Sequence, residues 1–294
     1  MTAPKDRNLG DCLEAELAAT REIVRAAWGK VRGYYRGTCE VFQKEEGPAT
    51  QADREASDLI VAELRRRFPA DGVLSEEADD DGRRLACERV WMIDPIDGTK
   101  DFIERKGNFA LQIGLAIRDG EGFAPRLGVV YHPVADRLYF ARHGGGAWVE
   151  TPAGETCPLT VSKTRDLSEM TVVATRSHRS PLFLDLLDLL GPREIITMGS
   201  LGLKAMRVAE GRADYYLNNS RGRSWEWDLC APEAILREAG GMATDLDGSP
   251  FRYNRESPRL ERGVLISNGS CHETLRRRAL EMEALVKTRA SQER

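Results

Sequence analysis

Four acidic residues in this sequence follow short apolar stretches, and their spacing suits the binding of a divalent cation. Asp94 and Asp97 lie three residues apart in the run Asp-Pro-Ile-Asp-Gly-Thr, and Glu76 and Asp228 follow two other apolar segments. Proline and glycine favour a tight turn, in which both carboxylates and the carbonyl of Ile96 point into the same space. Hard cations prefer such oxygen ligands, and four carboxylates without a cation would repel one another strongly. The pattern therefore predicts a metal site.

The same residues also fit ordinary structural roles. Asp-Pro and Asp-Gly pairs are common in turns, so Asp94 and Asp97 could simply shape the chain. Asp228 follows Trp225-Glu226-Trp227 and immediately precedes a predicted helix, where aspartate is a preferred N-cap. Glu77 is interpreted as a solvated neighbour of the acidic cluster. Taken one at a time, these positions leave both interpretations open.

Phosphate binding is compatible with these residues although the chain is acidic overall. Gly98 and Thr99 stand at the start of a predicted short helix, where free backbone N–H groups attract phosphate. The formal net charge of −4 argues against nonspecific nucleic-acid binding and by itself does not suggest an anionic substrate. Divalent cations held by carboxylates reverse the local field, so an acidic site can still bind a phosphate ester.

The elements that position these residues are predicted from apolar periodicity. A helix is expected near the start, and a second begins at Thr50 and ends before a short strand that leads to Glu76. A buried strand over residues 90–93 delivers Asp94 to its turn. Strict alternation from Phe109 to Ile117 predicts a half-buried strand of an antiparallel sheet.

The two halves of the chain have different patterns. From about Thr171 onward, strands alternate with helices, which is typical of an α/β layer packed against the first sheet. We therefore predict an α+β fold with an N-terminal α+β subdomain, residues 1–165, that carries most of the acidic cluster. A C-terminal α/β subdomain, residues 166–294, carries Asp228.

Length and composition place the chain among ordinary globular proteins. With 294 residues it can bury a sizeable core, and no stretch approaches the roughly 20 continuous apolar residues of a membrane helix. The N-terminal residues lack the apolar segment of a signal peptide, and six scattered cysteines indicate neither a disulfide framework nor a zinc site. We therefore expect a cytoplasmic protein that binds neither membranes nor nucleic acid.

Two longer motifs resemble those of a known family, the inositol monophosphatase superfamily of lithium-sensitive, magnesium-dependent phosphatases. Its first signature is similar to Trp91-Met92-Ile93-Asp94-Pro95-Ile96-Asp97-Gly98-Thr99, which Phe102 follows. Its second signature is similar to the run from Trp227 to Leu236, which ends at Gly240-Gly241. The resemblance covers roughly residues 40–270. Glu104 departs from it, because the family usually has a basic or small polar residue there.

The resemblance implies a layered αβαβα sandwich, with an antiparallel sheet in the first half and an α/β layer in the second. It also implies two or three Mg²⁺ ions per active site. Glu76, Asp94 and the Ile96 carbonyl would hold one ion, while Asp94, Asp97 and Asp228 would hold another. A divalent ion lowers the pKa of its water, and two ions stabilise the entering and leaving oxygens of an in-line displacement.

By the same resemblance, three residues carry the catalytic step. Asp53 would hydrogen-bond the hydroxyl of Thr99, and Thr99 together with Glu76 would orient and deprotonate the attacking water. Gly98 and Thr99 would also contact the substrate phosphate. No covalent phosphoenzyme is needed.

Three shorter segments, residues 98–103, Ser177-His178 and Gly199-Ser200 with Lys204, narrow the resemblance. They are most similar to those of the 3'(2'),5'-bisphosphate nucleotidases, which convert 3'-phosphoadenosine 5'-phosphate to AMP and phosphate. By that resemblance His178, Ser200 and Lys204 would contact the 5'-phosphate or the sugar. From the residues alone, His178 also fits a loop histidine and Lys204 a solvated helix position. Arg221 and Arg223 could add phosphate contacts, although exposed arginines are usually solvated.

The favoured hypothesis is a bisphosphate nucleotidase that acts on a small phosphate ester, as a monomer or a homodimer. An inositol or sugar monophosphatase is the alternative within the same class, because its substrate offers ring hydroxyls and no second phosphate. A catalytically silent nucleotide-binding protein is the alternative from another class. The presence of both the acidic cluster and Thr99 argues against it, since binding alone does not require them.

Overall fold

The structure is a computed structural model that describes residues 13–44, 47–176, 181–219 and 222–292. The helices are α1 (Glu14–Arg36), α2 (Gln51–Arg67), α3 (Thr99–Ile103), α4 (Pro181–Leu190), α5 (Leu201–Ala209), α6 (Glu226–Glu238) and α7 (His272–Gln292). Within the described residues, none of these helices combines the length and apolar character needed to cross a bilayer.

The strands fall into two large sheets and two short pairs. In the first half they are β1 (Val41–Gln43), β2 (Pro48–Thr50), β3 (Gly72–Ser75), β4 (Arg89–Asp97), β5 (Ala110–Asp119), β6 (Gly122–His132), β7 (Arg137–Arg142), β8 (Ala147–Glu150) and β9 (Thr156–Pro158). In the second half they are β10 (Thr171–Thr175), β11 (Glu194–Met198), β12 (Tyr215–Asn218), β13 (Ser224–Trp225), β14 (Met242–Thr244), β15 (Arg259–Leu260) and β16 (Val264–Ser267).

The first large sheet contains seven strands, β3 to β9, in chain order. Only β3 and β4 run parallel, and every later pair in this sheet is antiparallel, as predicted for the first half. The second sheet has the order β11-β10-β12-β16-β14 and is mixed. In it β10 is parallel to β11 and β12, whereas β16 is antiparallel to β12 and β14.

Helices and sheets alternate in five layers, which is the predicted αβαβα order. The helices α1 and α2 cover one face of the seven-stranded sheet, and α5 and α6 cover the other. The five-stranded sheet packs on the far side of α5 and α6, and α4 and α7 cover its outer face. Alternate residues of a strand enter different cores, since Trp91 and Ile93 face α1 and α2 while Val90 and Met92 face the middle layer.

The strand β5 is buried on both faces, so the prediction of a half-buried strand is wrong. Its large odd-numbered residues pack against α1 and α2, whereas the opposite face carries small residues that allow α6 to come close. A Cβ added at Gly114 would lie 2.7 Å from the backbone nitrogen of Ala231 in α6. On the neighbouring strand, a Cβ at Gly128 would lie 2.2 Å from the Ala231 carbonyl oxygen. Glycine at both positions therefore brings α6 onto the sheet.

The middle layer joins the two halves of the chain. One apolar cluster includes Met92 and Val130 of the first sheet, Leu229 and Ile235 of α6, and Ile266 of the second sheet. The division into subdomains at residue 165 stays a prediction. The core that the two halves share is what fixes their relative position.

Replacing Gly128 by alanine should destabilise the fold, because the new methyl group meets backbone atoms that belong to a packed helix. Overpacking of this kind costs about 1–3 kcal/mol, so we expect the free energy of unfolding to fall by that amount in urea titrations. Gly122→Ala is the matched control, because it lies on the same strand and its Cβ would have open space. Equal stability of the two variants would contradict the close approach of α6.

Candidate functional site

The four acidic residues meet at one edge of the seven-stranded sheet. Because β3 and β4 are parallel neighbours, both strands end at that edge. Glu76 follows β3 directly and donates its N–H to the Ile93 carbonyl (3.1 Å). Asp94 and Asp97 lie in the last part of β4, and Asp228 reaches the same edge from the first turn of α6. The structure thus brings together residues separated by more than 150 positions in the chain.

The segment between Asp94 and Asp97 is a strand irregularity, whereas the sequence predicted that the strand ends in a turn at Asp94. Asp94 lies opposite Gln112 of β5 and Asp97 lies opposite Ala110, so the register shifts between them. The chain turns only at Gly98, whose φ of +98° favours glycine. A Cβ at Gly98 would also come within 3.0 Å of a backbone carbonyl oxygen.

The carboxylate of Asp97 is held by the start of α5. Its Oδ1 accepts the N–H of Leu201 (3.0 Å), and its Oδ2 accepts the N–H of Gly202 (2.6 Å). The hydroxyl of Ser200 donates to the same Oδ2 at 2.6 Å and accepts the N–H of Leu203 at 2.9 Å. Ser200 is therefore the N-cap of α5 and orients Asp97.

Gln112 connects two members of the acidic cluster, and the sequence analysis missed it. Its Nε2 donates to Asp94 Oδ2 and to the Asp228 carbonyl, both at 3.3 Å. That carbonyl needs an outside donor, because Pro232 lies four residues later in α6 and has no N–H. A glutamine within a buried, otherwise apolar strand was the signal in the sequence, since such a residue needs hydrogen-bond partners.

Asp228 lies inside α6, two residues after the helix begins, and not before the helix as predicted. Its Oδ2 accepts the N–H of Trp225 (2.8 Å), so the side chain also stabilises the start of the helix. The structural role that the sequence left open is thus present. Asp228 nevertheless also lines a cavity together with Asp97.

Burial and mutual repulsion raise the pKa of every carboxyl in the cluster. Burial acts first on Glu76 and Asp94, and the charge of a neighbouring carboxylate then raises both pKa values further, well above the ordinary range. Burial also raises the pKa of Asp97, although hydrogen bonds from Ser200 and the backbone oppose this. For Asp228, burial and the charge of Asp97 raise the pKa to about 7. Near neutral pH the cluster must therefore bind either protons or cations.

The donor set fits a hard divalent cation. All of its atoms are oxygens, and Asp94 Oδ1 is buried without a hydrogen-bond partner in the described part of the chain. The Ile96 carbonyl faces the same region and accepts the Thr99 hydroxyl at 3.2 Å. Within the residues described, no three acidic, histidine or cysteine side chains already surround one point.

Asp53 and Thr99 form the hydrogen bond that the resemblance implies. The Thr99 hydroxyl lies 3.1 Å from Asp53 Oδ1, and the other oxygen of Asp53 accepts the Thr50 backbone N–H at 2.8 Å. This second contact belongs to the capping box at the start of α2. The sequence predicted that this helix begins at Thr50, which is its N-cap residue. Burial raises the pKa of Asp53 to about 6, although both hydrogen bonds from Thr50 act against it.

Two adjoining cavities of about 190 Å³ each open over this edge of the sheet. Gly98, Thr175 and Gly199 line both of them. The first, here named the water lobe, also contains Glu76 and Thr99. The second, here named the cation lobe, is bordered by Asp97, Asp228, Lys204, Tyr216 and Arg223, among other residues. One site thus has two compartments.

Lys204 lies inside the protein, so its interpretation as a solvated helix residue is wrong. It is only 3% exposed, and its Nζ lies 4.6 Å from the centroid of the Tyr216 ring. Burial lowers its pKa to about 8, while Asp97 and Asp228 act in the opposite direction. In the described part of the chain its ammonium group makes no ion pair or hydrogen bond.

Other expected substrate residues have different positions. Ser200 is fully buried and its hydroxyl is used by Asp97 and Leu203, so the geometry supports a positioning role for it. His178 and Arg221 lie outside the described residues. Arg223 borders the cation lobe.

Glu77 is not solvated, contrary to the prediction. Its side chain is 2% exposed and forms an ion pair with Lys44, a residue of the water lobe that the sequence analysis did not single out. Glu104, the departure from the family pattern, is the C-cap residue of α3. It pairs with Lys106 and with Arg176 (3.3 Å), and Arg176 also pairs with the buried Asp101.

Comparisons with known proteins identify the family of this chain. A sequence model of the inositol monophosphatase family matches residues 13–287. A relative from Mycobacterium tuberculosis, named 3'-phosphoadenosine 5'-phosphate phosphatase, is 35% identical over 71% of this chain and 73% of its own. Human inositol monophosphatase 2 is 37% identical over 69% of each chain.

A solved structure shows the same fold. The CysQ protein of Bacteroides thetaiotaomicron, described as a bacterial member of the inositol monophosphatase family, superimposes with a TM-score of 0.73 and 30% identity. The match covers 86% of this chain and 97% of that one. The predicted family and fold are therefore confirmed. Identity alone does not separate relatives named for a nucleotide from those named for inositol.

Metal-free protein should gain stability at pH 8 when Asp228 is replaced by asparagine. The folded-state pKa of about 7 exceeds the usual value for aspartate, so this carboxyl lowers stability as the pH rises through that interval. Asparagine keeps the acceptor for the Trp225 N–H but carries no charge. We expect Tm in EDTA to rise by about 3 °C at pH 8, the shift that ~2 kcal/mol gives in a chain of this size, and to be unchanged at pH 4.

The same two proteins should be compared again by Tm in the presence of magnesium. It should raise Tm of the wild-type protein at pH 8 and have a much smaller effect on Asp228→Asn. An equal Tm increase in both proteins would show that Asp228 does not bind the cation.

Proposed function

This chain belongs to the inositol monophosphatase family, and from that premise we propose that it is a magnesium-dependent bisphosphate nucleotidase. It would hydrolyse the 3'-phosphate of 3'-phosphoadenosine 5'-phosphate to give AMP and phosphate. The observation that carries the proposal is the buried Lys204 in the cation lobe, beside the acidic cluster. A second phosphate on the substrate provides the anion that this ammonium group lacks within the described residues.

The acidic cluster is the proposed magnesium site. Glu76, Asp94 and the Ile96 carbonyl would hold one ion, while Asp94, Asp97 and Asp228 would hold another. Bound magnesium supplies positive charge that stabilises the developing charge on the transferred phosphate. The number of ions, two or three, stays a prediction.

The protein's own residues would prepare the attacking water. Glu76 lies in the water lobe with Thr99, so its carboxylate is placed where it could accept a proton from the attacking water. Thr99 donates its proton toward Asp53 or the Ile96 carbonyl, so its hydroxyl oxygen remains free to accept a hydrogen bond from the water. Glu76 would take the water proton as the water oxygen bonds to phosphorus and the ester P–O bond breaks. The leaving oxygen is then protonated to give the 3'-hydroxyl.

Gly98 and Thr99 are proposed to contact the scissile phosphate, because they lie where the two lobes meet or beside that point. His178 stays a predicted contact. The proposal does not require Ser200 to touch substrate, because Ser200 orients Asp97. A monomeric or homodimeric state and a cytoplasmic location also stay predictions.

An inositol monophosphatase is the second candidate, favoured by the 37% identity to human inositol monophosphatase 2. Its substrate would occupy the acidic cluster in the same way. Hydroxyl groups, however, would offer the ammonium group of Lys204 no anionic group of the substrate. A silent nucleotide-binding protein has less support, because it does not require the Asp53–Thr99 hydrogen bond.

Substrate preference decides between the two phosphatase candidates. We expect phosphate release with Mg²⁺ to favour 3'-phosphoadenosine 5'-phosphate over inositol 1-phosphate and fructose 1,6-bisphosphate by ~100-fold in kcat/KM, equivalent to about 2.7 kcal/mol. Preference for inositol 1-phosphate would support the second candidate. Release from none of the three, despite magnesium binding seen as a shift in Tm, would support the silent protein.

Lys204→Met should weaken recognition of the bisphosphate selectively. Methionine fills a similar volume, so the fold should persist while the charge is lost. We expect kcat/KM for 3'-phosphoadenosine 5'-phosphate to fall ~30-fold, chiefly through KM, and that for inositol 1-phosphate to change less than ~3-fold. Lys163→Met, at an exposed lysine, is the control.

The pH profile provides a separate readout. Lysine is charged below its pKa, so wild-type affinity for the bisphosphate should decline as the pH rises through about 8. This decline should be absent in Lys204→Met. An equal loss on both substrates would remove Lys204 from substrate recognition.

A further inference from the structure

We propose that Arg223 binds the second phosphate of the substrate and thereby determines the preference for a bisphosphate over a monophosphate. This inference rests on the proposed nucleotidase function and identifies a residue that would recognise the nucleotide substrate. Arg223 borders the cation lobe together with Lys204, Asp97 and Asp228. It lies five residues before Asp228, in a segment that the two family motifs do not include.

The backbone on both sides of Arg223 is held in place. The N–H of Gly222 donates to the Leu260 carbonyl (3.0 Å), and Arg259 Nε donates to the Gly222 carbonyl at 2.6 Å. On the other side, Ser224 is buried and pairs with Leu260 in the short β13–β15 ladder. The arginine therefore projects from a fixed segment, which lowers the entropy lost when it binds an anion.

An aromatic stack strengthens this support. The rings of Trp225 and Trp227 are parallel within 4°, with centroids 5.0 Å apart. The guanidinium carbon of Arg259 lies 5.8 Å from the centroid of the Trp225 ring. Arg259 thus contacts the Trp225 indole and the Gly222 carbonyl, whereas the Arg223 side chain makes no such contact with a described residue.

The side chain of Arg223 is exposed and makes no hydrogen bond or ion pair with any described residue. Other arginines near this region contrast with it. Arg176 pairs with the buried Asp101, and Arg255 pairs with the fully buried Glu226 at 2.9 Å. A guanidinium that lines this cavity without a partner among the described residues is available for an anionic ligand.

The chemistry of the cation lobe indicates what that ligand is. Asp97 and Asp228 belong to the acidic cluster, so a scissile phosphate held there through magnesium leaves Lys204 and Arg223 unpaired. A guanidinium forms two parallel hydrogen bonds with phosphate, which an ammonium group cannot do. The two basic side chains together therefore suit a second phosphate group. Lys204 is buried and Arg223 is exposed, and both line the cation lobe.

The test compares two nucleotides that differ only in the second phosphate. Arg223→Ala should lower kcat/KM for 3'-phosphoadenosine 5'-phosphate about 30-fold, mainly by raising KM, and should change that for adenosine 3'-phosphate less than ~3-fold. Arg223→Lys keeps the charge without the paired donors, so its loss should be intermediate. Arg252→Ala is the matched control, because Arg252 is also exposed and lacks a side-chain partner among the described residues but lines a different cavity. It should change neither value.

The outcomes separate this inference from the proposed function. If the wild-type enzyme prefers the bisphosphate and Arg223→Ala keeps that preference, the nucleotidase assignment stands and the role of Arg223 is wrong. An equal loss on both nucleotides would likewise overturn it, because the arginine would then only offset the charge of the acidic cluster. If the wild-type enzyme does not distinguish the two nucleotides, the role of Arg223 is wrong, whereas the nucleotidase assignment is still decided by the comparison with inositol 1-phosphate.

Discussion

Mutual repulsion among buried carboxylates is the constraint on which the rest of this structure depends. Glu76, Asp94, Asp97 and Asp228 share one edge of the large sheet, and each has a raised pKa because burial removes the water that would stabilise its charge. The surroundings offset part of this cost: backbone N–H groups of α5 and Ser200 contact Asp97, and Gln112 contacts Asp94. These contacts offset only part of the cost of burying the charges, and the remaining repulsion would favour cation binding.

Assembly of the acidic cluster also requires close packing in the middle layer. Asp228 completes the cluster only if α6 lies directly on the sheet, and Gly114 and Gly128 permit that approach because any side chain there would meet the helix backbone. Pro232 has no N–H to donate to the Asp228 carbonyl, and Gln112 of the sheet donates to that carbonyl instead. A helix from the second half of the chain is thereby attached to strands of the first, and the site forms between them.

The proposed recognition of substrate depends on two basic residues that line the cation lobe. Glu76 and Thr99 line the water lobe. In the cation lobe, Lys204 and Arg223 form no ion pair with a described acidic residue. Many other surface and buried cations in this protein are ion-paired, such as Arg176 and Arg255. Positive charge without an ion-pair partner beside the proposed magnesium site would suit a substrate with two separated phosphates.

Much of the site could be predicted from local sequence, because turn residues, capping patterns and apolar periodicity act over a few residues. These patterns identified the acidic cluster, the start of α2 at Thr50 and the antiparallel strands, and motif resemblance added the Asp53–Thr99 pair and the family. Only the tertiary structure decided which residues lose contact with water. From the sequence, Glu77 is interpreted as solvated and β5 as half-buried, and solvation stays open for Lys204, because burial depends on helices and strands distant in the chain. Ser200 and Gln112 acquire their roles in the same way, since hydrogen bonds across layers exist only after the layers have packed.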